Sequence, residues 1–232
     1  MCGRTVLNTD IDAAVAHFAL QHHPAQLPAR FNISPGYGGV GAPWIVRVDA
    51  AHERELVHAR WWLIPAWWKK PLKELPTAFN ARAEEAAQKP FFRDALKRRR
   101  CLMPATGWYE YQGARGHKRA FLFQLPEHGV FGIAGIYERW MNPEDGEVID
   151  SFAIMTTTPN PEASKIHDRM PVVLPASAYN AWLDPDNHDV AQLQTLLQPW
   201  HGALEIYETT GYGNDPRREG PDCIEPALRA ER

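Results

Sequence analysis

The chain has 232 residues, 44% hydrophobic and 23% charged, an ordinary globular mixture long enough for one substantial domain. Its formal net charge of −3 is not the global signature of a nucleic-acid binder, although a local basic face would be hidden in the sum. Three cysteines without paired spacing make neither a disulfide framework nor a zinc site, and no apolar run is long enough to span a membrane, so a reducing cytoplasm is the expected compartment.

Taken in chain order, CGRTVLN reads as a short strand, and Asp10 as the N-cap of a helix over IDAAVAHFAL. QHHPAQLPAR is a loop and FNISPGYGG a turn-rich segment. WIVRVDA alternates as a strand, and ELVHARWWLI is another, closed by Pro65. PAWWKKPLKELPTAFNAR, braced by Pro65, Pro71 and Pro76, reads as an ordered loop. ARAEEAAQ and PFFRDALKRRR are expected to be short helices, with Pro90 in the first turn of the second. CLMPATGWYEYQ, KRAFLFQL, VFGIAGIYERW and DSFAIMTTT are strands, PNPEASKIHDRMP a loop or short helix, and PVVLP a short strand. SAYNAWL and DVAQLQTLLQPW are helices, LEIYE a last strand, and the tail from GYGNDP onward irregular. No internal repeat or linker interrupts this, which predicts one mixed α+β domain.

Four places could carry chemistry. The first is Cys2, whose small side chain lets methionine aminopeptidase remove Met1. That exposes an amine titrating near ~8 and a thiol near ~8.5 on one residue. Such a 1,2-aminothiol traps aldehydes: the amine forms a Schiff base and the thiol closes a five-membered thiazolidine. The alternative is a buried cysteine at a strand start. The second is IHDRMP, where His167 could transfer protons, Arg169 could bind phosphate and Asp168 could orient a neighbour; a structural histidine is the competing reading. The third is GWYEY, where alternation puts Trp108 and Glu110 on one face and Tyr109 and Tyr111 on the other. Glu110 is then either a carboxyl with a raised pKa in an apolar setting or a residue on the solvated face. The fourth is the stretch from Trp67 and Trp68 to FNAR, where aromatic rings beside arginines suit a single nucleic-acid strand. Core packing would equally explain the tryptophans. KRRR at 97–100 is either a phosphate contact or a solvated helix end.

In this order, MCGR, FNISPG, RWWLIPAWW, FNARAE, PFFRDALKRRRCLMPATGWYEY, IHDRMPVVLP and NDPRREGPDCIEP resemble the SRAP family, the SOS response-associated peptidases that protect abasic sites in DNA, over nearly the whole chain. The resemblance implies an α+β fold: a single compact domain, residues 2–226 with a short tail 227–232, in which short helices flank a twisted, mostly antiparallel, barrel-like sheet core. It implies covalent capture of abasic sites in single-stranded DNA through a thiazolidine on Cys2. Asn80, Glu110 and His167 match the family's active-site residues: the asparagine positions the cysteine terminus or sugar, the glutamate moves protons during Schiff-base formation, and the histidine protonates the sugar ring oxygen. Arg4, Arg82 and Arg169 match DNA-contacting arginines, Trp67 and Trp68 the stacking wedge, and Asn32 and Pro35 the loop lining the site.

Tyr111 stands where the family often has Trp, the tail departs from the commoner NNPRNDGP, and the insert between Trp68 and Asn80 is a little longer than in some relatives. The resemblance further implies lyase and autopeptidase side activities, no cofactor or metal, a monomer, replication-fork proteins as candidate partners, and a nucleoid-associated cytoplasmic location in a bacterium. Two other functions compete: an N-terminal-nucleophile amidohydrolase built on Cys2, and a non-covalent single-strand-binding module.

Overall fold

The structure is a computed structural model of the chain and describes residues 2–36, 42–114 and 118–227. The chain opens with β1 (Thr5–Leu7) and α1 (Ile11–Phe18), where the Asp10 carboxylate accepts from Ala13 N at 2.7 Å as expected of an N-cap. There follow β2 (Arg30–Ile33), β3 (Trp44–Val48), β4 (Arg54–His58), β5 (Arg60–Trp61), β6 (Asn80–Arg82), α2 (Arg93–Arg98), β7 (Arg100–Ala105), β8 (Gly107–Gln112) and β9 (Arg119–Gln124). The second half contains β10 (Phe131–Met141), β11 (Val148–Thr157), β12 (Met170–Pro171), β13 (Val173–Leu174), α3 (Tyr179–Leu183), α4 (Val190–Thr195) and β14 (Glu205–Glu208).

The strands form two sheets. One runs β14–β9–β8–β1–β2 and is antiparallel throughout. The other has the order β12–β11–β10–β7–β3–β4, with β13 paired to β10 and with β5 and β6 lying parallel to β11. The mostly antiparallel α+β expectation holds, but the strands divide between two open sheets and do not close into a barrel. The core between them is aromatic: Trp108 stacks on Phe123 with ring centroids 5.1 Å apart, Trp61 stacks on Phe152 at 6.1 Å, and Trp182 is fully buried. Among the described residues, no helix is long and apolar enough to cross a membrane.

The expected single strand CLMPATGWYEYQ breaks at Thr106, where the chain leaves one sheet for the other. Thr106 holds the crossing, donating from its N to Val6 O at 2.7 Å and accepting from Asn8 N at its hydroxyl at 3.0 Å. Gly107 follows because a Cβ there would stand 3.0 Å from the Phe123 carbonyl oxygen. ELVHARWWLI likewise splits at Ala59, its first part pairing with β3 and its second with β11. FNAR is a strand and not a loop, because Asn80–Arg82 adds to β11 in parallel register. The first residues of FNISPG are also a strand, β2, paired with β1.

ARAEEAAQ forms successive turns and not a helix. Its start is held extended in β6, and Pro90 has no N–H with which to carry helical hydrogen bonding onward. Pro90 lies in the turn before α2, whose N-cap is Phe92. Within KRRR, Arg100 is buried and donates to the carbonyls of Trp182 and Lys97 at 2.7 Å each and to that of Asp184, while Arg99 pairs with Glu138 at 2.7 Å. Two of the four cations therefore hold the fold together, and Lys97 and Arg98 stay exposed.

β10 also shows a close approach that its sequence explains. A Cβ on Gly135 would lie 2.9 Å from Cys101 Sγ and 3.3 Å from Ala153 O. Gly135→Ala should cost about 1–3 kcal/mol in urea denaturation, the usual range for overpacking. Adding Cys101→Ala should recover most of that loss by giving the new methyl the space of the sulfur; a double variant no more stable than Gly135→Ala alone contradicts this packing.

Candidate functional site

Cys2 lies just before β1 and is 0% exposed. Its carbonyl accepts a 2.7 Å hydrogen bond from Asn80 Nδ2, so β6 fixes the start of the chain. Asn80 Oδ1 is buried beside it without a hydrogen-bond partner. Alternation along β8 puts Trp108 and Glu110 on the core face, while Tyr109 and Tyr111 pack with Val6 and Leu122 on the other. At 1% exposure, Glu110 is not on a solvated face.

His167 follows a short 3-10 turn over Ala163–Lys165, and its Nε2 lies 3.9 Å from Glu110 Oε2. Its Nδ1 accepts from Arg169 N at 3.1 Å and stands 3.0 Å from Asp168 Oδ1. Thus β6 supplies Asn80, β8 supplies Glu110 and the loop before β12 supplies His167, and the structure brings the three together around Cys2.

Burial governs the proton inventory. Desolvation, reinforced by Asp168 and opposed by the terminal ammonium, raises the Glu110 carboxyl from 4.5 to about 8, so it carries a proton at neutral pH. Burial lowers the His167 imidazole, with the terminal ammonium acting in the same direction and Asp168 against it. A neutral ring that accepts at Nδ1 carries its hydrogen on Nε2, the nitrogen nearer Glu110. The Cys2 thiol is raised by burial and then by Glu110, and stays protonated. The resting site therefore holds a thiol, a carboxylic acid and a neutral imidazole, with an acid and a base adjacent.

The remaining residues expected at the site fall into two groups. Trp67 is 50% exposed and packs edge-on against Phe91, whereas Trp68 is half-buried against the cluster of Ile64, Leu75 and Trp140. Arg82 projects into solvent beside Glu85 at 3.2 Å. Tyr111 and Pro35 are half-buried, and the Lys118 ammonium lies 6.0 Å from the Tyr111 ring centroid.

Arg4, Asn32 and Arg169 are committed to the protein itself. Arg4 donates to Asn32 Oδ1 at 2.6 Å and to the carbonyl of Gly213 at 2.5 Å, and buried Asn32 donates to the carbonyls of Gly213, Asp215 and Arg218 at 2.9–3.1 Å. Together they clamp the C-terminal loop against β1 and β2. Arg169 forms a two-pronged pair with Glu84, at 3.0 and 2.9 Å, and donates to Thr156 O at 2.6 Å.

Sequence reasoning did not single out Glu84 or Thr156, although Glu84 closes the NARAE segment. Nor did it assign the indoles that shape the tryptophan loop: Trp61, Trp62 and Trp140 donate to the carbonyls of Phe79, Pro76 and Trp68 at 2.8–2.9 Å. The one grouping of three metal-ligand side chains among the described residues is His22, Asp49 and Glu53 at the β3–β4 turn, and it shares no residue with this site.

The sequence model of the SOS response associated peptidase (SRAP) family matches residues 1–212. Abasic site processing protein YoqW of Bacillus subtilis (strain 168) is 33% identical over 234 residues, which span 97% of this chain and 99% of that protein. Abasic site processing protein HMCES of Gallus gallus is 28% identical over 204 residues, 78% of this chain and 60% of its own length. A crystal structure from Bordetella bronchiseptica superposes with a TM-score of 0.77 at 28% identity, covering 90% of this chain and all of that one. One from Bacteroides thetaiotaomicron shares the fold with a TM-score of 0.79 at 23% identity over 98% of this chain.

The Glu110 carboxyl leads to a stability prediction. Its folded-state value lies above the ordinary 4.5, so the folded protein binds this proton more tightly than the unfolded chain. The stability it contributes is complete below about 4.5 and is lost as pH rises through about 8. Denaturation midpoints across that window should fall more steeply with pH in the wild type than in Glu110→Gln, which keeps the shape and removes the titration. Parallel curves for the two proteins would show that Glu110 does not hold a proton in the folded state.

Proposed function

The chain belongs to the SOS response associated peptidase (SRAP) family, and from that premise we propose that it captures abasic sites in single-stranded DNA covalently through Cys2. The observation that carries the reading is a buried Cys2, held by Asn80 and flanked by a protonated Glu110 and a neutral His167. With Met1 removed, the terminal amine is that of Cys2. Asn80 Oδ1, buried without a partner, then stands ready to accept from it.

The abasic sugar enters as a closed hemiacetal and opens to the aldehyde with no net change in protons: water protonates the ring oxygen, which the His167 Nε2–H holds by a hydrogen bond, and takes the proton of the anomeric hydroxyl. The Cys2 amine adds to the aldehyde carbon to give a carbinolamine. Glu110 protonates the carbinolamine hydroxyl, water leaves, and an iminium forms beside a Glu110 carboxylate. That carboxylate, a strong base in this dry setting, takes the thiol proton, and the sulfur adds to the iminium carbon. One C–N and one C–S bond have formed, one water has left and Glu110 has regained its proton. If sulfur addition lags, the imine can lose the 3′ phosphate by β-elimination, a lyase outcome. Autopeptidase action is proposed only as a family side activity.

Exposed Trp67 offers a stacking surface, and Arg82 a cation for the phosphate backbone. Trp68, Pro35 and Tyr111 complete the proposed DNA-facing surface. Arg169 would meet a phosphate by exchanging Glu84 for it, while Arg4 and Asn32 act through the loop they hold. The amidohydrolase alternative is less well supported: a nucleophilic cysteine works as a thiolate in an electropositive setting, whereas burial and Glu110 keep this one protonated.

Incubation with a single strand carrying one abasic site should give an adduct stable on a denaturing gel, and none with Cys2→Ala. Glu110→Gln should slow its formation by about 100-fold, within the usual range for a general acid–base group. The wild-type rate should drop as pH rises past about 8, where Glu110 gives up its resting proton. An undiminished adduct with Cys2→Ala, or a wild-type rate in Glu110→Gln, would overturn the reading.

A further inference from the structure

The face of β8 that carries Glu110 continues across β9 to β14. Glu110 lies opposite Phe121, and Phe121 opposite Glu208, so one row of side chains leads from the buried acid to the sheet edge. Neighbouring strands lie about 5 Å apart, which puts Phe121 one such step from Glu110. A groove of about 680 Å³ opens over this part of the face. Its apolar lining includes Phe121 and Ile206 on the sheet and Ile166, the residue before His167, together with Tyr207, Pro226 and Ala227. Arg119 lies over the Phe121 ring, 5.1 Å from its centroid, and pairs through two contacts with Glu208, so the groove's own charges cancel.

Cations stand nearby: Lys118 precedes Arg119 and lies close enough to His167 to act on its charge, and exposed Lys165 is fastened to β8 through its carbonyl by Gln112 Nε2 at 2.8 Å. Such a setting, aromatic and charge-balanced within and cationic beside, fits an uncharged base inside and a phosphate at the rim. We infer that this groove between β9, β14 and the Ile166 turn binds the nucleobase next to the abasic sugar, on one side of the lesion only. The inference rests on the proposed function for the identity of the strand, and it adds a subsite at which an intact neighbouring nucleotide seats the lesion against Glu110 and His167. The occupant is a base because an apolar floor without net charge favours a π-face over a phosphate.

Fluorescence anisotropy can test this with short single strands that carry one tetrahydrofuran residue, an abasic analogue that binds without crosslinking. In one strand the base on the 5′ side is also removed, and in another the base on the 3′ side. Wild-type affinity should fall by about tenfold for one of these strands and stay nearly unchanged for the other. Ile206→Trp, which fills the groove, should lose this one-sided dependence yet still form an adduct with a saturating true abasic strand. Equal affinities for all strands in the wild type overturn the inference without any variant. So does one-sided dependence that persists in Ile206→Trp, since the base would then stack elsewhere, as on Trp67. If the wild type shows the one-sided dependence and Ile206→Trp loses it, but no adduct ever forms, the groove stands and covalent capture falls.

Discussion

Glu110 sits dry on the core face of β8 beside Cys2, and the conditions at the site follow from that burial. A carboxyl at 1% exposure cannot hold its charge at the ordinary pH, and its value climbs to about 8. Its proton makes it an acid at rest, and once that proton is spent its carboxylate is a stronger base than an exposed glutamate. The same dryness keeps the Cys2 thiol and the His167 ring uncharged. A thiol that waits for a neighbouring carboxylate suits a reaction in which the amine acts first and sulfur second. It suits direct thiolate attack poorly.

Keeping that pocket in register falls largely to β11. Its last residues pair with β6 on one side, which positions Asn80, and with β12 on the other, which anchors the chain just after His167. Arg169 fastens the histidine loop to the same strand through Thr156 O and to the NARAE segment through Glu84. Across the molecule, Arg4 and Asn32 hold the C-terminal loop by its carbonyl groups, and the Tyr109 hydroxyl adds bonds to Phe31 O at 2.8 Å and Cys223 O at 3.1 Å. Three of the residues expected at the DNA-facing surface, Arg4, Asn32 and Arg169, therefore spend their hydrogen bonds on shaping the walls of the site.

How much of this was legible beforehand depended on whether the governing contact was local. The Asp10 cap and the alternation of GWYEY are local, and the structure has both. Alternation separated Glu110 from Tyr109 but could not say which face was inside; the pairing of β8 between β1 and β9 and the aromatic core behind it decide that. FNAR read as loop because its partner, β11, lies more than seventy residues away and runs parallel to it. ARAEEAAQ has helical composition, and tertiary pairing at its start overrode that preference. KRRR showed four cations and no sign that Arg100 would be drawn inside by the carbonyls around α2 and α3. Cys2, Asn80, Glu110 and His167 lie in motifs far apart in the chain; residue chemistry made them candidates but left each ambiguous, and the family resemblance gave them their roles.

The central claim is that Cys2 reacts as a whole residue, amine and thiol together, in a pocket whose acid is Glu110. Tandem mass spectrometry of the digested adduct between the protein and an abasic single strand tests it most directly. The account predicts a peptide that begins at Cys2 without Met1, carries the sugar remnant with the loss of one water, and retains neither a free amine nor a free thiol on that residue. A sugar attached to a lysine, or a crosslinked peptide that still begins with Met1, would contradict it.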